Sequence, residues 1–391
     1  MKHVPTCLVL LTTTFSVPAL AQDSQQHFED IASAAFESAI REYDIPGLIV
    51  GVTRDGKHTF YQTGLASRED QRPVTPDTLF ELGSISKIFN VTLAATAEGR
   101  GRLSLDSPLA TYLPTLNGTP AGGLRLMDLA THHSGGLPLQ VPDEVENVDQ
   151  LIDWLAGWQP PEPGARSYSN ISIGLLGHIT ADAMGMSYAD ALQTEIFPAL
   201  GLSNTWIDVP ASAAGDYAFG YDRKTNAPIR VTAGVLDDEA YGVKSSARDM
   251  LKLLDVALGN GEASAEIREA VSLTQQGQFQ TRLFTQAMIW EAYPWPADAE
   301  RLIEGNGYDF IFNPQQMTAV KGLAPEDVIL NKTGATNGFG GYIVMLPAED
   351  LGVVVLANRN YPNEARVRAT YDLITRILAV ERLAIRTPLL G

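Results

Sequence analysis

The chain contains a single cysteine, Cys7, among its 391 residues. Cys7 lies in an N-terminal segment with the features of a cleaved leader. Lys2 supplies a positive charge, residues 4–17 are apolar, and residues 19–21 form an A-x-A cleavage site. We therefore expect residues 1–21 to be a signal peptide and the mature protein to be periplasmic. The mature chain would then have no disulfide, no thiol nucleophile and no cysteine metal ligand.

Histidine, basic residues and long apolar runs are also scarce. The six histidines form neither an HExxH nor an HxH motif, so we expect no metal site and no cofactor. Lys and Arg number 28 against 46 Asp and Glu, a formal net charge of −18, which argues against a nucleic-acid partner. No later stretch approaches the roughly 18 apolar residues of a membrane span. We expect an unanchored protein, most simply a monomer, whose partners are small molecules.

Strand patterns lie near both ends of the chain and helical patterns lie between them. Asp55-Gly56 joins two β-rich runs, residues 47–53 and 58–63, and this dipeptide is a strong hairpin signal. Further strands are predicted at 327–331, 340–346 and 351–357. Helices are predicted at 28–42, 88–98, 148–158, 171–184, 188–200 and 364–378. This order predicts an α/β (α+β) protein whose sheet is interrupted by a helical insertion.

The same pattern suggests where the domains divide. Residues 22–100 and 265–391 are expected to form the sheet-containing domain, and residues 101–264 a mostly helical one. The tract 201–242 is rich in Pro, Gly, Asn and Asp, and a loop of this length is usually functional or contains short elements of its own. The active site is expected in the cleft between the two domains.

A hydroxyl and an amine are placed three residues apart by Ser84 and Lys87, at the start of a predicted helix. Side chains at i and i+3 share one helix face. A serine hydroxyl becomes a good nucleophile only when a nearby base takes its proton, and a buried lysine could be that base. On its own the S-x-x-K pattern is a weak signal, because a helix-capping serine followed by a surface lysine has the same spacing.

Two further motifs supply groups that could act together with Ser84 and Lys87 in one site. Tyr168-Ser169-Asn170 leads into a predicted helix and offers a phenol and an amide. Lys332-Thr333-Gly334 follows a predicted strand and offers an ammonium group and a hydroxyl to an anionic substrate. The order S-x-x-K, polar triplet, K-T-G is that of the serine acyltransferases that act on penicillins.

With these motifs the sequence resembles the class C, AmpC-type serine β-lactamases of the β-lactamase and penicillin-binding protein superfamily. The similarity extends over nearly the whole mature chain and includes residues 135–145, 237–245, 332–340 and 357–363. It implies the β-lactamase/transpeptidase-like fold, with a mixed, mainly antiparallel sheet. It also implies hydrolysis of cephalosporins and penicillins through a serine acyl-enzyme, and hence antibiotic resistance.

The resemblance also implies roles for individual residues. Ser84 would be the acylated nucleophile, and Lys87 and Tyr168 would form the proton relay, with the general base left open between them. The backbone N–H groups of Ser84 and Ala335 would form the oxyanion hole. The implied substrate-binding residues are Gln140, Asn170, Tyr241, Lys332, Thr333, Gly334, Ala335, Asn363 and Arg366.

One segment departs from the family pattern. Where many relatives have Q-G-L-G-W-E, residues 286–291 read Q-A-M-I-W-E, which places bulkier side chains where the cleft is expected.

Three alternatives share some of the motifs: a D-Ala-D-Ala carboxypeptidase that releases penicillin slowly, a β-lactamase-like serine esterase, and a catalytically inactive receptor. Gln140 and the K-T-G motif argue against the esterase, and the intact Ser84, Lys87 and Tyr168 set argues against the receptor.

Overall fold

The computed structural model describes residues 17–320 and 327–386. Its helices are α1 Val17–Glu42, α2 Lys87–Gly99, α3 Leu126–Ala130, α4 Val148–Gly157, α5 Asn170–Met184, α6 Tyr188–Ala191, α7 Asp237–Tyr241, α8 Ala247–Leu258, α9 Ala265–Thr274, α10 Ala299–Asn306, α11 Tyr308–Phe312 and α12 Asn363–Arg386. Most of the predicted leader, residues 1–16, lies outside the described residues. Of the described helices, none is long and apolar enough to span a membrane.

The strands range from two-residue bridges to an eleven-residue hairpin arm. They are β1 Gly47–Arg54, β2 Lys57–Ser67, β3 Arg72–Pro73, β4 Phe80–Glu81, β5 Ala165–Arg166, β6 Thr205–Trp206, β7 Gly220–Tyr221, β8 Pro228–Ile229, β9 Lys244–Ser245, β10 Phe279–Gln280, β11 Thr285–Gln286, β12 Glu291–Pro294, β13 Gln315–Gln316, β14 Thr318–Ala319, β15 Val328–Ala335, β16 Gly340–Leu346 and β17 Leu351–Ala357.

One ten-stranded sheet dominates the fold. Its order is β14-β10-β11-β12-β15-β16-β17-β1-β2-β3, and every neighbouring pair is antiparallel. The last C-terminal strand therefore pairs with the first N-terminal one. The predicted α/β (α+β) class, with a mainly antiparallel sheet built from both ends of the chain, is confirmed.

Both faces of the central strands are buried, because helices cover the sheet on each side. In β17, Val353 and Val355 pack into one hydrophobic cluster with α1 and α12, while Val354 and Leu356 pack into the other. This alternation is the two-residue period of a strand. Helix α8 packs on β1 and β17 from the second side, and α2 packs against α5 and α9.

The first hairpin forms as the sequence predicts. Asp55 has a φ of 49° and Gly56 a φ of 69°. Two consecutive residues with positive φ are the requirement of a type I′ turn, and Gly accepts this conformation at no steric cost. The turn sets the β1–β2 register, in which Arg54 pairs with Lys57.

Two regions differ from the predicted elements. The helix predicted at 188–200 breaks into α6, a π-helical turn Leu192–Ile196 and a 3-10 turn Pro198–Leu200, since Pro198 cannot donate a backbone hydrogen bond. The strand predicted at 327–331 continues to Ala335, because the ladder with β16 continues through two glycines, Gly340 and Gly341.

Candidate active site

The pair Ser84 and Lys87 lies where a 3-10 turn, Gly83–Ser86, leads into α2. Lys87 Nζ donates a 3.0 Å hydrogen bond to Ser84 Oγ and a 2.7 Å hydrogen bond to the carbonyl oxygen of Ala240. The Lys87 side chain is completely buried, whereas Ser84 is partly exposed. The i, i+3 spacing therefore brings the amine to the hydroxyl, as predicted. Burial lowers the pKa of Lys87 to about 8; Tyr168 opposes this change and Lys332 adds to it.

Tyr168 lies between two lysines. The Nζ atoms of Lys87 and Lys332 are 5.4 Å and 5.1 Å from the centroid of its ring. Burial raises the pKa of Tyr168, but the two lysine charges and hydrogen bonding with Ser84 and Lys87 outweigh burial and lower it to about 8. A phenol and an amine that both titrate near pH 8 are suited to exchange a proton at neutral pH.

The start of α5 holds Tyr168 and Asn170 in place. Between them, Ser169 caps the helix: its Oγ accepts a 3.1 Å hydrogen bond from the Ser172 N–H and donates a 2.6 Å one to Pro138. Asn170 Nδ2 donates a 3.1 Å hydrogen bond to Gln140 Oε1. Asn170 Oδ1 is buried and has no hydrogen-bond partner among the described residues.

Most of the predicted site residues surround one cleft. Those lining one part of it are Ser84, Gln140, Tyr168, Asn170, Lys332, Thr333, Gly334, Ala335 and Asn363. Tyr241 lines the adjoining part, together with Ser84, Gln140, Asn170 and Ala335. Residues more than 250 positions apart in sequence are therefore brought together, because β15 lies beside the turn that carries Ser84.

Arg366 does not line this cleft. Its guanidinium is fully buried and donates through Nη1 to the carbonyl oxygens of Gly334 and Gly341, at 2.7 Å and 3.2 Å. The group therefore supports the backbone at the end of β15 from behind. Asn363, which the sequence analysis grouped with Arg366, does line the cleft and donates a 3.0 Å hydrogen bond to the Asn306 carbonyl oxygen.

The segment that departs from the family pattern is not at the cleft surface. Ala287, Met288 and Ile289 are at most 1% exposed and belong to the hydrophobic core. None of them is among the cleft-lining residues, so the bulkier side chains expected near the cleft pack into the core instead. Ile289 has a φ of 69°, a conformation for which glycine is the usual choice.

A buried ion pair behind Tyr168 was not predicted from the sequence. Arg166 Nη2 and Glu291 Oε1 are 3.1 Å apart, both side chains are 1% exposed, and Gln286 Oε1 accepts a 2.8 Å hydrogen bond from Arg166 Nε. The guanidinium carbon is 5.7 Å from the Tyr168 ring centroid. The His132 ring also packs on Tyr168, with centroids 4.4 Å apart.

Two aromatic side chains at the cleft mouth were also not predicted. Tyr308 and Phe312 on α11 line both parts of the cleft and stack with their centroids 5.3 Å apart. They are among the few large apolar side chains left exposed, at 40% and 53%. The aromatic run Y-D-F-I-F is the signal that could have drawn attention to them.

Comparison with known proteins identifies the family. A sequence model of the β-lactamase family matches residues 31–376. The chain belongs to the β-lactamase family. A β-lactamase of Psychrobacter immobilis is 39% identical over 375 residues, which cover 95% of this chain and 93% of the relative.

Solved structures place the chain in class C of that family. It is 76% identical to a class C β-lactamase from Rhodobacter sphaeroides, with a TM-score of 0.88 over 89% of this chain and 99% of the other. A β-lactamase from Sulfitobacter sp. EE-36 is 62% identical, with a TM-score of 0.90 over 91% and 99% of the two chains. The predicted AmpC-type serine β-lactamase, with the β-lactamase/transpeptidase-like fold, is confirmed.

Proposed function

We propose that Ser84 is the nucleophile through which this class C enzyme hydrolyses the β-lactam amide bond. The observation that carries the proposal is the 3.0 Å hydrogen bond from Lys87 Nζ to Ser84 Oγ, inside a cleft that Tyr168 and Lys332 also line. A hydroxyl with a buried amine as its immediate partner meets the requirement for an activated serine.

Acylation begins when Ser84 Oγ attacks the lactam carbonyl carbon and loses its proton to the Tyr168 and Lys87 pair. The carbon–nitrogen bond of the ring then breaks, and the same pair returns the proton to the departing nitrogen. The two groups titrate near the same pH and interact, so we treat them as one proton-sharing unit rather than choosing a single base.

The negative charge of the tetrahedral intermediate would develop near the end of β15. The backbone N–H groups of Ser84 and Ala335 are the proposed donors to this oxygen. Such donors favour the transition state because they are already oriented before the charge appears. Arg366 contributes indirectly, since it holds the Gly334 carbonyl oxygen on the opposite side of the strand.

Substrate binding is assigned by position along the cleft. Lys332 and Thr333 would hold the ring carboxylate, and Gly334 and Asn363 line the same part of the cleft. Gln140 and Asn170, already hydrogen-bonded to each other, would bind the side-chain amide. Tyr241 would line the pocket for the acyl side chain.

Deacylation would use the same Tyr168 and Lys87 pair, with water in place of Ser84 as the attacking group and Ser84 as the leaving group. A water molecule attacks the ester carbonyl carbon, gives a proton to the Tyr168 and Lys87 pair, and Ser84 leaves with a proton from that pair. A D-Ala-D-Ala carboxypeptidase would share the acylation step but would stay acylated by penicillins, so turnover separates the two activities.

The test of the proposed function is nitrocefin turnover by the purified protein. Ser84→Ala should lose on the order of 10⁶-fold in kcat, the loss expected when a serine nucleophile is removed. Ser38→Ala, an exposed serine on α1, is the matched control and should turn over like wild type. A single stoichiometric burst without turnover would overturn the lactamase assignment, and an active Ser84→Ala variant would overturn the choice of nucleophile.

Location, assembly and domain division are proposed from the sequence. The A-x-A site and apolar run support removal of residues 1–21 and export to the periplasm. The order of strand and helix patterns supports a sheet-containing domain of residues 22–100 and 265–391 and a mostly helical domain of residues 101–264. We also propose that the enzyme is a monomer. Mass spectrometry of the exported protein should give Gln22 as its first residue. Light scattering should give the mass of one chain.

A further inference from the structure

The carboxyl group of Glu81, three residues before Ser84, lies at a junction of three segments. Glu81 is 2% exposed. Its Oε1 accepts hydrogen bonds from the Tyr217 hydroxyl and the Val231 N–H, both at 2.7 Å. Its Oε2 accepts a 2.6 Å hydrogen bond from the Thr336 hydroxyl. The mechanism above gives this buried acidic side chain no role.

The three donors differ in how close they are to the reaction. Tyr217 and Val231 belong to the long tract between β6 and α7. Thr336 directly follows Ala335, whose N–H is a proposed oxyanion-hole donor. The hydrogen bond from Thr336 therefore links the segment that carries Ala335 to the segment that carries Ser84, although Thr336 and Glu81 are 255 residues apart in sequence.

The two segments also touch backbone to backbone. A Cβ atom added to Gly83 would lie 2.5 Å from the backbone nitrogen of Ala335, and one added to Gly334 would lie 2.1 Å from the Leu82 carbonyl oxygen. No side chain separates the segments at these points. Their relative position is therefore set by backbone contact and by the side chains that join them, of which Glu81 with Thr336 is one pair.

We propose that Glu81 is a positioning residue for the oxyanion hole, acting through Thr336. This inference rests on the proposed function, because it assumes that the N–H groups of Ser84 and Ala335 stabilise the intermediate. Its physical basis is that catalytic donors must be held within about 0.5 Å of their productive positions, so the residues that fix them also affect the rate. The hydrogen bond between Thr336 and Glu81 then serves catalysis, and the hydrogen bond between Tyr217 and Glu81 holds the long tract in place.

The test compares Thr336→Val, Thr336→Ser and Tyr217→Phe. Valine has the shape of threonine but cannot donate to Glu81, whereas serine can. We expect Thr336→Val to lower the acylation rate constant with nitrocefin on the order of 10-fold to 100-fold, since one oxyanion-hole donor is worth about 100-fold to 1,000-fold. Thr336→Ser should stay within about threefold of wild type, the expected rescue by a conservative change.

Infrared spectroscopy of the acyl-enzyme gives a readout that a merely structural role would not move. A hydrogen-bonded ester carbonyl absorbs at lower frequency, so Thr336→Val should shift the carbonyl band upward. Tyr217→Phe leaves the Val231 hydrogen bond on Oε1 and should leave the band unchanged, even if it lowers the melting temperature. An unchanged band and rate in Thr336→Val, or an equal shift in Tyr217→Phe, would overturn the proposal.

The outcome for the wild-type protein separates this inference from the proposed function. If mass spectrometry finds no adduct on Ser84 of the wild type, the proposed function fails and the inference fails with it. If the adduct forms and Thr336→Val behaves like wild type, only the role of Glu81 is lost.

Discussion

Lys332 Nζ lies 5.1 Å from the centroid of the Tyr168 ring, and both side chains line the cleft. This ammonium group lowers the pKa of Tyr168 and also that of Lys87. Lys332 thus has a second effect besides its proposed contact with the substrate carboxylate. It favours the state in which the Tyr168 and Lys87 pair has lost one proton and can accept another from Ser84.

The first prediction concerns the pH dependence of acylation. The pair loses a proton as the pH rises through about 8, so kcat/KM for a neutral ester should rise with pH and level off above that value. Lys332→Met removes a positive charge that lowers both pKa values, so both should rise. The acidic limb should then move to higher pH, by on the order of one unit. Lys57→Met, an exposed lysine, is the control. A limb that stays in place or moves to lower pH would contradict the coupling.

The second prediction separates the contact of Lys332 with substrate from its effect on the pair. Lys332→Ala should lower kcat/KM far more for a cephalosporin with its ring carboxylate than for an uncharged ester. The measurement is made at a pH above the acidic limbs of both the wild type and the variant. The expected extra loss is on the order of 100-fold, the value of about 3 kcal/mol for a charge-assisted hydrogen bond. Equal losses for both substrates would remove Lys332 from the carboxylate role.

The third prediction concerns the buried ion pair of Arg166 and Glu291. Arg166→Met leaves the Glu291 charge buried without its cation and should cost about 3–5 kcal/mol in the free energy of unfolding, measured in urea. Adding Glu291→Leu should recover most of that loss. The exposed pair of Arg368 and Glu300 is the control, because Arg368→Met should cost under about 1 kcal/mol. If the double variant is no more stable than Arg166→Met alone, an uncompensated charge is not the cause.

The fourth prediction concerns the backbone contact beside Ser84. Gly83 has a φ of 53°, and an added Cβ would lie 2.5 Å from the Ala335 backbone. Gly83→Ala should therefore push the two segments apart and lower kcat/KM by about 100-fold, the effect of misplacing catalytic groups by about 1 Å. Gly99→Ala meets no atom within 4 Å and should leave both activity and stability nearly unchanged. Full activity in Gly83→Ala would show that the contact does not set the site geometry.

Local rules account for the parts of this protein that the sequence predicted. The Ser84 and Lys87 contact needs only a helical turn, and the first hairpin needs only Asp55-Gly56. The central strands follow from β-rich runs, and the sheet is built from both ends of the chain as predicted. The family resemblance supplied the residues that no local rule connects, such as Gln140 and Tyr241.

Long-range contacts account for what was not predicted. Arg166 and Glu291 are 125 residues apart, and Glu81 and Thr336 are 255 apart, so no spacing in the sequence links them. Ala287, Met288 and Ile289 were expected near the cleft, but the fold packs their side chains into the hydrophobic core. Arg366 faces backbone carbonyls rather than the cleft for a similar reason: its direction depends on packing that the sequence does not state.

The central claim is that Ser84 is acylated and then released by this enzyme. Rapid-quench mass spectrometry during cephalosporin turnover tests it most directly. The peptide containing Ser84 should gain the mass of the ring-opened substrate within the first turnover and lose it when the substrate is exhausted. A chain that turns over substrate without any adduct on Ser84, or that keeps the adduct after the substrate is gone, would contradict it.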